Sequence, residues 1–154
     1  MRLFHVSHAV LTAGQILEPG SWGRVTRQFS RKGRSLSDIN DAKNLVWETS
    51  LEIARRAVAS DAPSRLNCVF ACRTIADACA FRDRFRAGAC IYLVESSASL
   101  PVHEGDYDLI TVGNDDPFVD FWVDRAMRYW TQKPQGICEV VIGGAVSVIE
   151  VAAV

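Results

Sequence analysis

Residues 137–142 and 145–151 are two runs of β-branched and apolar residues joined only by Gly143-Gly144. A glycine pair between such runs predicts a two-residue hairpin. It also leaves no room for the crossover helix that consecutive strands of a parallel sheet require. The C-terminal end of the chain is therefore incompatible with a doubly wound α/β fold. The remaining sequence agrees, because it reads as one strand, one long helix, and then strands interrupted by short helices. That order predicts an α+β protein.

The first strand spans residues 3–7, with Leu3, His5 and Ser7 on one side and Phe4 and Val6 on the other. Residues 11–16 lead into Glu18-Pro19-Gly20, a turn signature. From 20 to 37 there is no periodicity. Three glycines and the cations Arg24, Arg27, Arg31, Lys32 and Arg34, without one acid, predict a long loop. A helix is expected from Ser37 or Asp38 to about residue 60, with Val46, Ser50, Ile53 and Ala57 on one stripe and Asp38 and Asp41 at its positive end. Asp61-Ala62-Pro63 ends it.

Residues 66–72 read as a strand. Thr74 and Asp77 then form a capping-box pattern opening a short helix, whose Ala78, Phe81 and Phe85 share a face and which Gly88 terminates. Residues 89–95 and 107–112 are expected strands, with His103 in the loop between them. Asp116-Pro117 supplies a cap and a first-turn proline for a helix reaching about residue 130, with Phe118, Trp122, Arg125 and Tyr129 along it and Phe121 beside them.

A length of 154 residues predicts a single domain, 1–154, and 49% hydrophobic with 23% charged residues is an ordinary globular balance. Lys and Arg number 17 against 18 Asp and Glu, which argues against nucleic-acid binding by the whole surface while leaving room for a local basic patch. No apolar run is long enough to span a bilayer, and the start of the chain does not read as a secretory signal. A cytoplasmic protein is the expectation. Cys68, Cys72, Cys79, Cys90 and Cys138 form no CxxC pair, and four of them sit in apolar runs, so they read as reduced core residues rather than metal ligands.

The sequence contains no GxGxxG, GxxxxGK[ST], HExxH or GxSxG, so the familiar dinucleotide-fold, P-loop, zincin and serine-hydrolase chemistries are not first choices. What remains is scattered: His5 on the first strand, Phe70 on a middle strand and Glu139 on a late one. Taken with their neighbours these residues carry a resemblance. Leu3-Phe4-His5-Val6-Ser7 followed by Gly14-Gln15-Ile16-Leu17 resembles the opening motif of the diphtheria-toxin-like branch of ADP-ribosyltransferases. The segment 64–72, with Ala76-Asp77-Ala78 and Phe81 after it, resembles that branch's aromatic-bearing strand and the helix behind it. Cys138-Glu139-Val140-Val141-Ile142 resembles its third motif, a glutamate at the start of a late strand. The chain also resembles a bacterial uncharacterised family assigned to that fold, through Pro63-Ser64-Arg65-Leu66, Val69-Phe70-Ala71 and the ending Ala126…Tyr129-Trp130.

The resemblance implies two small packed antiparallel sheets with a central cleft, about three helices, and NAD as co-substrate. It implies Glu139 and His5 as catalytic residues, and His5, Ser7, Phe70 and Phe81 in NAD binding. The branch usually has tyrosine where Phe70 stands, so Tyr92 on the next strand is the alternative ring. Trp22, Arg24 and Arg27 are the parts of the basic loop expected to face the ligand, since guanidinium forks match phosphate oxygens. A plainly solvated charge run stays open beside that reading.

The chemistry suits these residue types. Cleaving the nicotinamide–ribose bond develops an oxocarbenium-like ribose, which a carboxylate in a dry site stabilises. An imidazole can fix a ribose hydroxyl, and a flat ring can stack on nicotinamide. The expected activity is mono-ADP-ribosylation of a macromolecular acceptor, protein or nucleic acid. The expected setting is a toxin or effector, cytoplasmic or delivered into a target cell, with a cognate antitoxin or immunity protein as partner. NAD hydrolysis, an RNA 2′-phosphotransferase-like reaction and a non-catalytic binding module are the alternatives.

Overall fold

Alternation of apolar and polar residues places strands where the chain can bury one face at a time, and the computed structural model shows how they join. It describes residues 1–30, 33, 35–37, 39–111 and 118–153, with side chains for all of these except 118–123. Arg31, Lys32, Arg34, Asp38, Asp116 and Pro117, and the side chains of Phe118, Phe121 and Trp122, lie outside that description.

The strands are β1 (Arg2–Ser7), β2 (Ile16–Leu17), β3 (Val69–Cys72), β4 (Cys90–Glu95), β5 (Val102–Asp106), β6 (Cys138–Ile142) and β7 (Val146–Ala153). The helices are α1 (Ser21–Thr26), α2 (Ile39–Val58), α3 (Ile75–Phe85) and α4 (Phe118–Thr131), with 3-10 turns at Arg65–Asn67 and Tyr107–Ile110. The protein is α+β. Its strands form one antiparallel sheet in the order β2-β7-β4-β1-β3-β6-β5.

That is one sheet, where two were expected. The joint is narrow: β1 and β4 pair along their whole length, from Arg2 opposite Glu95 to Ser7 opposite Cys90, but β1 meets β3 at the single position Phe4 opposite Cys72. Val146 and Val148 of β7 share a buried cluster with Val140 and Ile142 of β6, although three strands separate β7 from β6 in the sheet. The sheet must therefore curl until its two halves face each other across Leu3, Val69, Ala71, Tyr92 and Val94. On its outer side, α2 and α4 cover β3 and β6 through Leu51, Ala54, Tyr129, Trp130 and Val141, while Ala78 of α3 packs by Phe4, Val6 and Ile91.

The Gly143-Gly144 hairpin does not form, since β6 pairs with β3 and β5, and β7 with β2 and β4. Those glycines instead let the chain cross closely over Leu100 and Pro101, which a Cβ at either position would strike.

Other expectations are corrected. The segment after Gly20 is not all loop, because Ser21–Thr26 is helical. Residues 107–111 are not a strand, and 112 lies outside the described residues. The strand lies just before, at Val102–Asp106, and the Asp106 side chain caps the 3-10 turn that follows. On α2 the stripe of Val46 and Ile53 faces solvent, at 40% and 65% exposure, while Glu48, Leu51 and Ala54 are buried. Its inner face carries charge, which hydropathy periodicity assigns to the outside. The Thr74 cap does form, its hydroxyl accepting from the Asp77 amide at 3.0 Å. All five cysteines are free. Among the described residues no helix is long and apolar enough to cross a membrane.

Candidate active site

Where β1 leaves β3, the sheet opens into a cleft of about 750 Å³. His5, Ser7, Trp22, Phe70, Phe81 and Glu139 all line it, so six of the residues singled out from the sequence come to one place. Strand alternation puts His5 on the Leu3 side of β1, yet the gap between β1 and β3 lets its ring reach the Phe70 carbonyl, Nδ1 to O, at 2.7 Å. A carbonyl only accepts, so Nδ1 carries the hydrogen and Nε2 keeps its lone pair. Burial pushes the His5 pKa below its ordinary value, against the raising effect of the Phe70 carbonyl. The ring is therefore a neutral acceptor at neutral pH. The Ser7 hydroxyl accepts from the Ala9 amide at 3.0 Å and shapes the turn beside it.

Glu139 is 6% exposed, its side chain buried although its strand neighbour Cys138 is only partly so. It sits at the floor of the cleft, in a network the sequence did not announce. The Arg65 guanidinium forms an ion pair with Glu139 through Nη1 and reaches Glu48 through Nη2 at 3.2 Å and Nε at 3.3 Å. Tyr129 donates its phenol proton to Glu139 at 2.6 Å. Gly105, opposite Glu139 in the β5–β6 register, makes this approach possible: a Cβ there would lie 2.3 Å from the Tyr129 ring. Trp22 closes the network from the α1 side, its indole nitrogen donating to Glu48 at 2.8 Å. The guanidinium carbon stands 4.7 Å from the Phe70 ring centroid, a cation–π contact that fixes this ring.

Two carboxylates share one guanidinium, so the ionised trio carries one excess negative charge in a nearly dry site. Burial pushes the Glu139 carboxyl above the usual carboxylate range, with Arg65 and then Tyr129 pulling it back and Glu48 adding to the rise. Burial works against the charge on Arg65, but Glu139 and Glu48 overcome it and hold the guanidinium ionised. Burial and the neighbouring Glu139 drive the Tyr129 phenol well above its ordinary value, so it remains a proton donor.

Three of the expected site residues lie elsewhere. Tyr92 is 2% exposed in the core, where its hydroxyl donates to the Ala9 carbonyl at 3.1 Å and accepts from the Leu11 amide at 3.2 Å. Arg24 bonds the Pro19 carbonyl and the Ser21 hydroxyl, and Arg27 the Leu66 carbonyl at 3.1 Å. Both brace α1 rather than line the cleft, because the short helix turns them outward. The exposed guanidinium on the cleft wall is Arg86, just past α3. His103 is structural: it lies on β5, stacks on Trp130 at 4.5 Å and bonds the Tyr129 carbonyl at 3.0 Å.

Sequence reasoning missed Glu48, Arg65, Tyr129 and Arg86 as site residues. Arg65 and Tyr129 belong to segments that carried the resemblance but received no role. Glu48 had a faint signal, sharing a helical face with Leu51 and Ala54. Among the described residues no group of His, Cys, Asp and Glu is placed to hold a metal ion.

An α+β protein with an aromatic-walled cleft, set over a buried ion cluster at a break in its sheet, is the class these observations define. A family model described as a protein of unknown function (DUF2441) matches residues 24–153, and the chain belongs to that family. No curated protein matches it.

Proposed function

We propose that the cleft binds NAD on an ADP-ribosyltransferase-like fold, and that the protein is an NAD-dependent mono-ADP-ribosyltransferase of a macromolecular acceptor. The observation that supports this best is that His5, Phe70 and the buried Glu139, carried by three different strands, line one cleft. In this reading His5 Nε2 accepts a hydrogen bond from a ribose hydroxyl, and the rings of Phe70 and Trp22 flank the nicotinamide. Arg86 at the wall meets the pyrophosphate in place of Arg24 and Arg27. The C1′–nitrogen bond breaks, its electron pair leaves with neutral nicotinamide, and the acceptor's nucleophile bonds C1′ and loses its proton. The excess negative charge of Glu48, Arg65 and Glu139 favours both the cationic nicotinamide ring and the ribose cation that follows.

The RNA 2′-phosphotransferase-like alternative is less well supported. Such chemistry asks for several arginines in the cleft, and among the described cleft residues Arg65 is consumed by two carboxylates.

The test is labelled NAD with purified protein and a cell lysate, separating modified protein, modified nucleic acid and free ADP-ribose. Glu139→Gln should bind NAD within a few-fold of wild type, while its turnover falls by about 10²–10³, as when one electrostatic stabiliser is lost. A wild-type protein that neither binds nor cleaves NAD refutes the reading. A Glu139→Gln variant with near-full turnover removes Glu139 from it.

A further inference from the structure

The buried carboxylate on α2 enters the reading above only through its charge, yet it makes more hydrogen bonds with Arg65 than Glu139 does. Glu48 is 2% exposed. It receives Arg65 Nε on both oxygens at 3.3 Å, Arg65 Nη2 at 3.2 Å and the Trp22 indole N–H at 2.8 Å. Glu139 receives Arg65 Nη1 and the Tyr129 hydroxyl. The guanidinium is thus held edge-on by α2, and only its remaining nitrogen is offered to β6.

We propose that Glu48 is a positioning residue for Glu139, acting through Arg65, and that the two carboxylates are electrostatically coupled across the single guanidinium. Oriented this way, Arg65 neutralises Glu139 incompletely. The consequence for NAD cleavage rests on the proposed function, whereas the coupling itself does not.

The other groups facing Glu139 do not confuse its titration. Burial raises the thiols of Cys68 and Cys72, on either side of β3, and of Cys138 on its own strand. The Tyr107 phenol is pushed up to about 12, chiefly by burial, and Tyr129 lies higher than an ordinary phenol. Among the described residues two imidazoles, His5 and His8, line the cleft, and His5→Asn and His8→Asn remove them as controls.

The experiment follows the side-chain carboxyl carbons by NMR through a pH titration of the full chain, as wild type, Glu48→Gln and Glu48→Asp. Removing the Glu48 charge should lower the Glu139 midpoint by about one pH unit or more, because that charge adds to the rise in the Glu139 carboxyl and the two share one guanidinium. Glu48→Asp, which keeps the charge, should leave that midpoint near wild type. A purely structural role predicts the reverse, because glutamine preserves the size and, through its carbonyl oxygen, the bonds from Trp22 and from Arg65 Nη2. In the wild type itself the Glu48 signal should shift as Glu139 takes its proton, a readout that needs no variant to fold. Kinetically, Glu48→Gln should lower kcat for NAD by about tenfold with KM little changed, and move the acid limb of the profile to lower pH. An unmoved Glu139 midpoint in Glu48→Gln, or a wild-type Glu48 signal that does not respond as Glu139 takes its proton, overturns the proposal even if NAD is turned over. A shifted midpoint in a protein inert toward NAD upholds the coupling and refutes the NAD reading instead.

Discussion

Removing the guanidinium from the buried trio is the sharpest test of what holds the cleft floor together. Arg65→Met keeps an unbranched side chain of similar length but leaves Glu48 and Glu139, at 2% and 6% exposure, without their counter-ion. Breaking a buried ion pair by deleting one partner costs about 3–5 kcal/mol, because the orphaned charge cannot be resolvated. The lost contact with Phe70 adds about 0.5–2 kcal/mol. Against a typical total of about 5–15 kcal/mol, the variant should be severely weakened at pH 8. The loss should also depend on pH in a definite direction. An acid whose folded pKa lies above its unfolded pKa penalises the folded state as pH rises through the folded value, and the penalty is absent below the unfolded value. Glu139 is already raised by burial, and loss of Arg65 raises it further. Each pH unit between the two values is worth about 1.4 kcal/mol for one proton, so at pH 5 most of the charge penalty should have disappeared. Urea unfolding at pH 8 and pH 5 measures both numbers, and Arg65→Met combined with Glu48→Gln and Glu139→Gln should recover most of the pH 8 loss. A single variant that loses under about 1 kcal/mol at pH 8, or equally at both pH values, refutes the account.

The second charged cluster on α2 should act at the opposite end of the scale. Arg55 leads in holding the Glu52 carboxyl at about 2, with Arg56 and Ser64 adding to it against the effect of burial. This folded value lies below the unfolded one, so the stabilisation is complete above the usual carboxylate range and is lost as pH falls from about 4.5 toward 2. The full shift would correspond to about 3 kcal/mol, but Arg56 is 74% exposed, and screening there reduces the contribution to about 1–2 kcal/mol. Glu52→Gln should lose that amount at pH 7 and progressively less toward pH 3, and a gap constant with pH in denaturant melts would be evidence against it. Gly23→Ala should cost about 1–3 kcal/mol in thermal unfolding, since its Cβ would stand 1.8 Å from the Leu66 carbonyl oxygen; an unchanged Tm would mean that α1 is free to lift off. Arg86→Gln should raise KM for NAD by about tenfold and leave a mononucleotide substrate unaffected, a difference that steady-state kinetics with the two substrates reads directly.

The elements legible in the sequence are those whose cause is local. The Thr74 cap needs only an amide three residues on, β1 shows its faces by alternation, and β4 is a continuous apolar run between Gly88 and Glu95. The elements that were not legible depend on distant partners. Six residues reading Ser-Trp-Gly-Arg-Val-Thr have little reason to be helical by themselves, and α1 exists because Gly23 lies flat on the Leu66 carbonyl, which Arg27 also binds. Val102–Asp106 contains a glycine and two acids and looks like a loop, yet it pairs with β6 from Val102 opposite Ile142 to Asp106 opposite Cys138. Gly143-Gly144 offers the local grammar of a hairpin, but Leu100 and Pro101 determine what those glycines are for.

The candidate site divides along the same line. His5 and Glu139 each interrupt a largely apolar strand, which is visible in one dimension, whereas Phe70 continues the apolar run of β3 and was singled out only by the resemblance. The residues that set their chemistry are not, because Arg65 is 17 positions from Glu48 and 74 from Glu139. On α2 the buried stripe that includes Glu48 even inverts the expected helix face, leaving Ile53 in solvent. A stability argument does not account for this, since well-packed apolar residues in place of a buried ion cluster are commonly as stable or more so. Among the described residues the buried carboxylates paired with a cation lie at the cleft, whereas the buried Asp106 caps backbone amides at residues 135 and 136, and the cluster between the two halves of the curled sheet is wholly apolar apart from the Tyr92 hydroxyl. A buried ion cluster placed at the cleft and missing from the packed interior is what the proposed chemistry accounts for and packing alone does not.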